Sequence, residues 1–145
     1  MQVLNNLVTI YIPIAVIVWF AARKNKLSWK LLFISAISVV ASVILKELFR
    51  TGANETVQGF QFSKYSFPSL SVQLATSFWL YLAVQQRKAF LYFVAGLITI
   101  FVAYGKLVTN QHNIFDVLAG FIFGLLLVVA LIKLRFFKAE LNEKL

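Results

Sequence analysis

Apolar residues run along this chain in five long stretches, each bounded by charge or by turn-forming residues. A bilayer core of about 30 Å needs roughly 20 mostly apolar helical residues, so this pattern predicts membrane-crossing helices. The first stretch covers 4–22 and stops at Arg23, Lys24 and Lys26. The second runs 29–49, closes on Lys46 to Phe49, and gives way to a polar loop marked by Gly52, Asn54, Glu55 and Gly59. The third opens around Pro68 and ends before Arg87 and Lys88; the fourth covers 89–104; the fifth covers 114–134 and is followed by a short charged tail. No internal repeat is visible, and the connections are short apart from 50–66. The expected fold is therefore all-α, a multi-pass transmembrane helical bundle of about five spans, with 1–145 as a single membrane-embedded domain. The opening stretch has neither a basic flank before it nor a small-residue cleavage site after it, so it is expected to be retained as a span.

Composition agrees. With 145 residues, 61 % of them hydrophobic and 13 % charged, and a mean hydropathy of +0.83, the chain holds more apolar surface than so small a body can enclose. That excludes a soluble globule and leaves lipid to cover the rest. The absence of cysteine removes disulfides, thiolate metal sites and cysteine nucleophiles.

A net charge of +9 would point to nucleic acid in a soluble protein, but here the positions of the bases decide its meaning. Arg23, Lys24, Lys26 and Lys30 lie in the first connection, Arg87 and Lys88 in the third, and Lys133, Arg135, Lys138 and Lys144 at the carboxy end. The alternate connections hold only Lys46, Arg50, Lys64 and Lys106. Cytoplasmic loops retain positive charge during insertion, so the amino terminus is expected outside and the carboxy terminus inside, in the plasma membrane. The charge is then a topology signal, with attraction to anionic lipid as a by-product. Membrane lipid, and no nucleic acid, is the expected partner.

The polar residues left on the outer side come from three parts of the chain. Lys46 and Arg50 close the second run, 66–71 opens the third, and 106–116 joins the fourth to the fifth. An ionisable group near membrane depth is costly and tends to face a partner or a wet cavity. His112 and Asp116 are four positions apart; on a helix that starts this early they share a face. The carboxylate can then accept from one ring nitrogen, leaving the other lone pair to attack an electrophile or take a proton. The plainer alternative is that Asp116 caps the helix and His112 is an interfacial polar residue. Lys46 and Lys106 offer positive charge suited to phosphate, although lysines at span ends also snorkel to headgroups. Pro68 fits a first helical position, with Ser69 and Ser71 near a helix amino terminus, where free N–H groups attract anions. An ordinary helix start reads the same way.

Together, Lys46, then Pro68-Ser69, then Gly105-Lys106, five residues, His112, three residues and Asp116, continuing Val117-Leu118-Ala119-Gly120, resemble the three-part signature of the type 2 phosphatidic acid phosphatase superfamily of membrane lipid phosphatases. That family has lysine, six residues and Arg-Pro in its first motif, Pro-Ser-Gly-His in its second, and Ser-Arg, five residues, His, three residues and Asp in its third. The likeness runs from the second apolar stretch to the fifth. Family members commonly have six spans, and this chain looks as though the first is missing, in keeping with an outside amino terminus. The resemblance implies that His112 is a nucleophile forming a phosphohistidine and Asp116 its orienting partner. It also implies that Lys46, Lys106 and Ser69 bind the phosphate, with Arg50 and Ser71 as further candidates. No cofactor and no metal is implied.

Departures shape the expected chemistry. Ala53 and Asn54 stand where the first motif has Arg-Pro, and Leu70 and Ser71 where the second has Gly-His, whose histidine is the family's general acid. His112 is the only histidine in the chain. Lys106 in place of arginine loses a bidentate fork, and Gly105 in place of serine a hydroxyl. A general acid typically contributes about 10² to 10⁴ in rate, so the departures favour a leaving group that needs protonation least. A polyprenyl diphosphate meets that better than a phosphomonoester such as phosphatidic acid. The expected function is a membrane lipid phosphatase-like protein that hydrolyses or binds such a lipid. The alternative is a catalytically degenerate relative acting as a lipid-phosphate-binding, partner or transport protein. An independent transporter has less support, since no inverted repeat or midplane charged pair is evident.

The remaining features read as packing. Gly96, Gly120 and Gly124 are expected to allow close helix approach, and the G-x-x-x-G of Gly120 and Gly124 fits contact inside the bundle or between protomers. The frequent Phe and Trp suit lipid-facing surfaces and interfaces. The sequon Asn54-Glu55-Thr56 carries no weight.

Overall fold

Each apolar stretch becomes a helix, because in lipid a backbone can satisfy its own N–H and C=O groups only within a helix or a closed barrel. The structure is a computed structural model and describes residues 7–23, 27–50 and 65–143; Ala53, Asn54 and the sequon lie outside them. A π-helical turn at Leu7–Tyr11 leads into α1 (Ile12–Ala22), followed by α2 (Leu27–Phe49), α3 (Leu70–Gln86), α4 (Ala89–Val108) and α5 (Ile114–Glu143). No strand occurs among the described residues. By length and composition Leu27–Phe49, Ala89–Val108 and Ile114–Leu134 can cross a membrane, while Thr9–Ala22 is apolar but shorter. The chain is an all-helical integral membrane protein.

The short α3 is the centre of the bundle. It packs against α2, α4 and α5 and buries residues all round its circumference, among them Val72, Gln73, Thr76, Phe78 and Leu82. A helix surrounded in this way has no lipid face to keep apolar, which is why it can carry Ser71, Gln73, Thr76 and Ser77. Facing it, α2 buries one stripe, Leu27, Leu31, Ile34, Ser38, Ser42 and Lys46, at helical spacing. The opposite face of α2 leaves Trp29 and Leu48 more than two-thirds exposed, as a lipid-facing surface should. Between the two helices Gln73 Nε2 donates to the Ser38 carbonyl at 3.1 Å and Ser77 Oγ to Ser38 Oγ at 3.1 Å. Such bonds hold transmembrane helices together where apolar burial gives no preference over lipid.

Three glycine expectations resolve differently. A Cβ on Gly120 would lie 2.6 Å from the Ser69 carbonyl oxygen, and one on Gly124 2.8 Å from that of Gln73. The G-x-x-x-G therefore brings α5 against α3 inside the bundle. Gly96 does not serve close approach, since a Cβ there meets nothing within 4 Å.

Element ends also shift. The fourth helix continues beyond 104 to Val108, because Gly105 is buried and Leu107 and Val108 prolong the apolar run. Lys106 thus sits in its last turn. The fifth continues beyond 134 to Glu143. Pro68 is not at the first helical position: it precedes the N-cap Ser69, and the Phe67–Pro68 peptide is cis.

Candidate functional site

The carboxy ends of α2 and α4 and the amino ends of α3 and α5 meet at one end of the bundle, and the polar residues of all three candidate stretches lie there. Their placement follows from local backbone chemistry. α4 ends in a Schellman motif: Asn110 takes the left-handed conformation at φ 52°, its N–H donates to the Leu107 carbonyl at 3.0 Å, and the Gln111 N–H donates to the Lys106 carbonyl at 3.1 Å. α5 begins four residues after Asn110 with a reciprocal cap. Asn113 Oδ1 accepts from the Asp116 N–H at 2.9 Å, and Asp116 Oδ2 accepts from the Asn113 N–H at 3.2 Å.

His112 is the residue between these two motifs, and its own N–H reaches the Lys106 carbonyl at 3.4 Å. It precedes the helix, so the expectation that it shares a helical face with Asp116 is corrected. The pair meets because the cap turns the chain. His112 Nδ1 lies 3.4 Å from Asp116 Oδ2, with the side chains 13 % and 3 % exposed. Asp116 is thus a helix cap and a neighbour of the imidazole at once.

Electrostatics set the state of the ring. Burial, followed by the charges of Lys46 and Lys106, pushes His112 down from the usual 6.5 to about 4, against the opposing pull of Asp116 and its hydrogen bond. The imidazole is neutral at ordinary pH. With Nδ1–H turned toward Asp116, the lone pair is on Nε2.

Lys46 is buried at the end of α2 and donates to the carbonyls of Tyr65 at 2.6 Å and Ser66 at 3.0 Å. Phe49 and Phe67 pack edge to face at 5.1 Å beside it. Lys106 donates to Gln111 Oε1 at 2.6 Å. Ser69 is fully buried and tied to α5 by its N–H, which donates to the Asp116 carbonyl at 3.0 Å. Its Oγ has no hydrogen-bond partner among the described residues. A buried hydroxyl of this kind is a candidate contact for a ligand.

Lys46, Ser69, Lys106, His112 and Asp116 are therefore brought together. Among the described residues no side-chain hydrogen bond ties Arg50 or Ser71 to them. Arg50 caps α2 at φ 45° and its exposed side chain donates through Nε to the Glu47 carbonyl at 3.1 Å. Ser71 is half-buried in the first turn of α3. Sequence reasoning did not identify Gln111, Asn113 or the carbonyls of Tyr65 and Ser66. The Asn113-x-x-Asp116 spacing is a readable capping signal; the carbonyl partners of Lys46 have none. Among the described residues, no group of three His, Cys, Asp or Glu could hold a metal ion.

The PAP2 superfamily model matches residues 27–140. The chain belongs to the PAP2 superfamily. The structure is similar to the crystal structure of a transmembrane PAP2 type phosphatidylglycerolphosphate phosphatase from Bacillus subtilis, with a TM-score of 0.73 and 23 % sequence identity over 100 % of this chain and 76 % of that one. At that identity the likeness is one of fold. No curated protein sequence matches the chain. As a PAP2 protein it carries Lys46, Ser69 and the Lys106 to Asp116 stretch within the matched region, and Ser71 half-buried in the first turn of α3.

Proposed function

We propose that this PAP2 protein hydrolyses a membrane lipid diphosphate through His112. The observation that carries the reading is a neutral imidazole whose Nδ1 faces a capped carboxylate, with two lysines close enough for their charges to act on the ring. Nε2 attacks the terminal phosphorus, forming a P–N bond as the P–O bond to the departing lipid monophosphate breaks. Water then attacks the same phosphorus, the P–N bond breaks, inorganic phosphate leaves, and a water proton passes to solvent. Lys46 keeps one of an ammonium's three donors beyond its two carbonyl partners among the described residues. That donor, Lys106 and Ser69 Oγ are positioned to take the phosphoryl oxygens, where charge develops in the transition state.

The diphosphate preference follows from what stands at 71. A departing phosphate whose second pKa is about 6 can leave as an anion without receiving a proton, whereas an alkoxide needs a donor. With His112 as the only histidine and serine at 71, no second imidazole can act. The same fact favours a second reading, a relative that binds a lipid phosphate without turnover. We further propose that 1–145 forms one membrane domain, with the site on the extracytoplasmic side of the plasma membrane, on the distribution of lysine and arginine.

Phosphate release from labelled polyprenyl diphosphate by the purified protein, compared with His112→Ala, tests the reading. Release that depends on His112 supports hydrolysis, equal release from both rejects it, and saturable binding without release selects the second reading.

A further inference from the structure

α2 and α5 each pack along α3 but scarcely touch one another. At the end of the bundle remote from His112, the space between them is an open apolar groove of about 770 Å³, within the size range of ligand pockets. Buried Tyr81 of α3 forms its floor, Trp29, Phe33 and Ala36 of α2 one wall, and Leu131 and Leu134 of α5 the other. The α2 positions recur at i, i+4 and i+7, so they make one stripe beside the stripe that α2 buries against α3. Trp29, Phe33 and Leu134 are exposed, and the groove opens sideways toward lipid.

This groove is not part of the phosphate site. Along α2, 16 residues separate its Lys30 from Lys46, or ~24 Å of helix. On α3 and α5, Tyr81 and Leu131 are similarly far from Ser69 and Asp116. The two sites therefore lie at opposite membrane faces.

Charge identifies the occupant. Lys30 lines the groove next to Trp29, and an aromatic beside a lysine at a span end sits at headgroup level. Among residues whose side chains are described, that end of the bundle carries Arg23, Lys30, Arg87, Lys88 and Lys133 and no acid. The sequence beyond 134 adds Arg135, Lys138 and Lys144 against Glu140 and Glu143. A second copy inserts the same way up, so docking it here would set two basic ends against each other. Zwitterionic lipid fills the apolar part but gains little from Lys30. An anionic phospholipid meets both features.

We infer that the groove binds one anionic phospholipid, with an acyl chain over Tyr81 between Phe33 and Leu131 and the charged headgroup at Lys30. The site is distinct from the one that holds His112 and does not depend on its chemistry.

The test uses the full chain in phosphatidylcholine nanodiscs. Phosphatidylserine brominated on its acyl chains is the probe, and phosphatidylcholine with the same brominated chains is the reference. Bromine quenches an indole on contact, so a protein with Trp19→Phe and Trp79→Phe, in which Trp29 is the remaining tryptophan, reports occupancy of this groove. If that protein does not fold, the difference between the native chain and Trp29→Phe gives the same signal. Association of phosphatidylserine is expected to exceed that of phosphatidylcholine about fivefold, the range of one lysine acting on an anionic headgroup. Lys30→Gln should reduce the preference below about twofold, and Ala36→Phe, which fills the groove and keeps the charge, should do the same. Lys88→Gln, at the same end but outside the groove, should leave it unchanged. Absence of a preference in the unsubstituted protein, its survival in Lys30→Gln or Ala36→Phe, or an equal loss in Lys88→Gln overturns the inference and leaves a diffuse basic surface. Failure of either brominated lipid to quench Trp29, with the protein crosslinking as a dimer, overturns it in favour of a second copy.

Discussion

Asp116 and Asn113 cap each other across the first turn of α5, and the same Asp116 carboxylate oxygen that accepts the Asn113 N–H faces the His112 ring. One side chain thus joins helix stability to the orientation of the candidate nucleophile. The two duties separate by substitution. Asp116→Asn retains an acceptor for the Asn113 N–H and is expected to leave thermal stability nearly unchanged while lowering phosphate release by about 10² to 10⁴, because the ring loses the partner that fixes its tautomer. Asp116→Ala is expected to lower release as far and also to cost about 1 kcal/mol of stability, the usual worth of a cap. Melting curves beside release assays check both.

The charge state of His112 gives a signal that can be observed without substrate. As the only histidine, it contributes the one imidazole resonance of the protein, which is expected to titrate near 4 instead of the usual 6.5. The folded value lies below the unfolded one, so on acidification the unfolded chain takes up the proton first. The contribution of neutral His112 to stability is therefore complete above about 6.5 and is lost as pH falls toward 4. Melting temperature measured across that window is expected to fall more steeply for the native chain than for His112→Gln.

Glycines that look alike in sequence are expected to behave in opposite ways. A Cβ at Gly120 collides with the Ser69 carbonyl oxygen, a backbone atom at the site itself. Gly120→Ala should cost about 1–3 kcal/mol through overpacking and displace Ser69. Gly96→Ala meets open space and should be neutral or stabilising by up to about 1 kcal/mol through helix propensity. Thermal unfolding of the two variants side by side decides this.

These contrasts mark what could be read from the residues alone. The helical runs were legible because hydrocarbon thickness imposes a length, and the third motif was legible because its residues lie on one short connection whose caps are local. The capping signal of Asn113-x-x-Asp116 is local too, but the four-residue spacing of His112 and Asp116 suggests a shared helical face and hides it. The partners of Lys46 were not legible, since two carbonyls brought in from 65 and 66 depend on how α3 enters the bundle. Nor was the difference between Gly96 and Gly120, which is a property of the neighbouring helix.

If the pocket retains its geometry, a proton donor can be restored. Leu70→Gly with Ser71→His places an imidazole at the half-buried position in the first turn of α3. This double variant is expected to raise release from a long-chain phosphomonoester by at least about tenfold, toward the range a general acid supplies. The gain should be smaller with a diphosphate, whose leaving group has less need of a proton. Parallel assays of both substrates check the difference.

The account rests on one anion meeting Lys46, Lys106 and His112 together, and the His112 imidazole resonance reports that meeting directly. Titrating farnesyl diphosphate into the nanodisc-embedded protein should shift this resonance saturably, and Lys46→Met and Lys106→Met should each weaken the response about tenfold or more. A resonance that does not move, or one that moves equally in both lysine variants and the native chain, would contradict it.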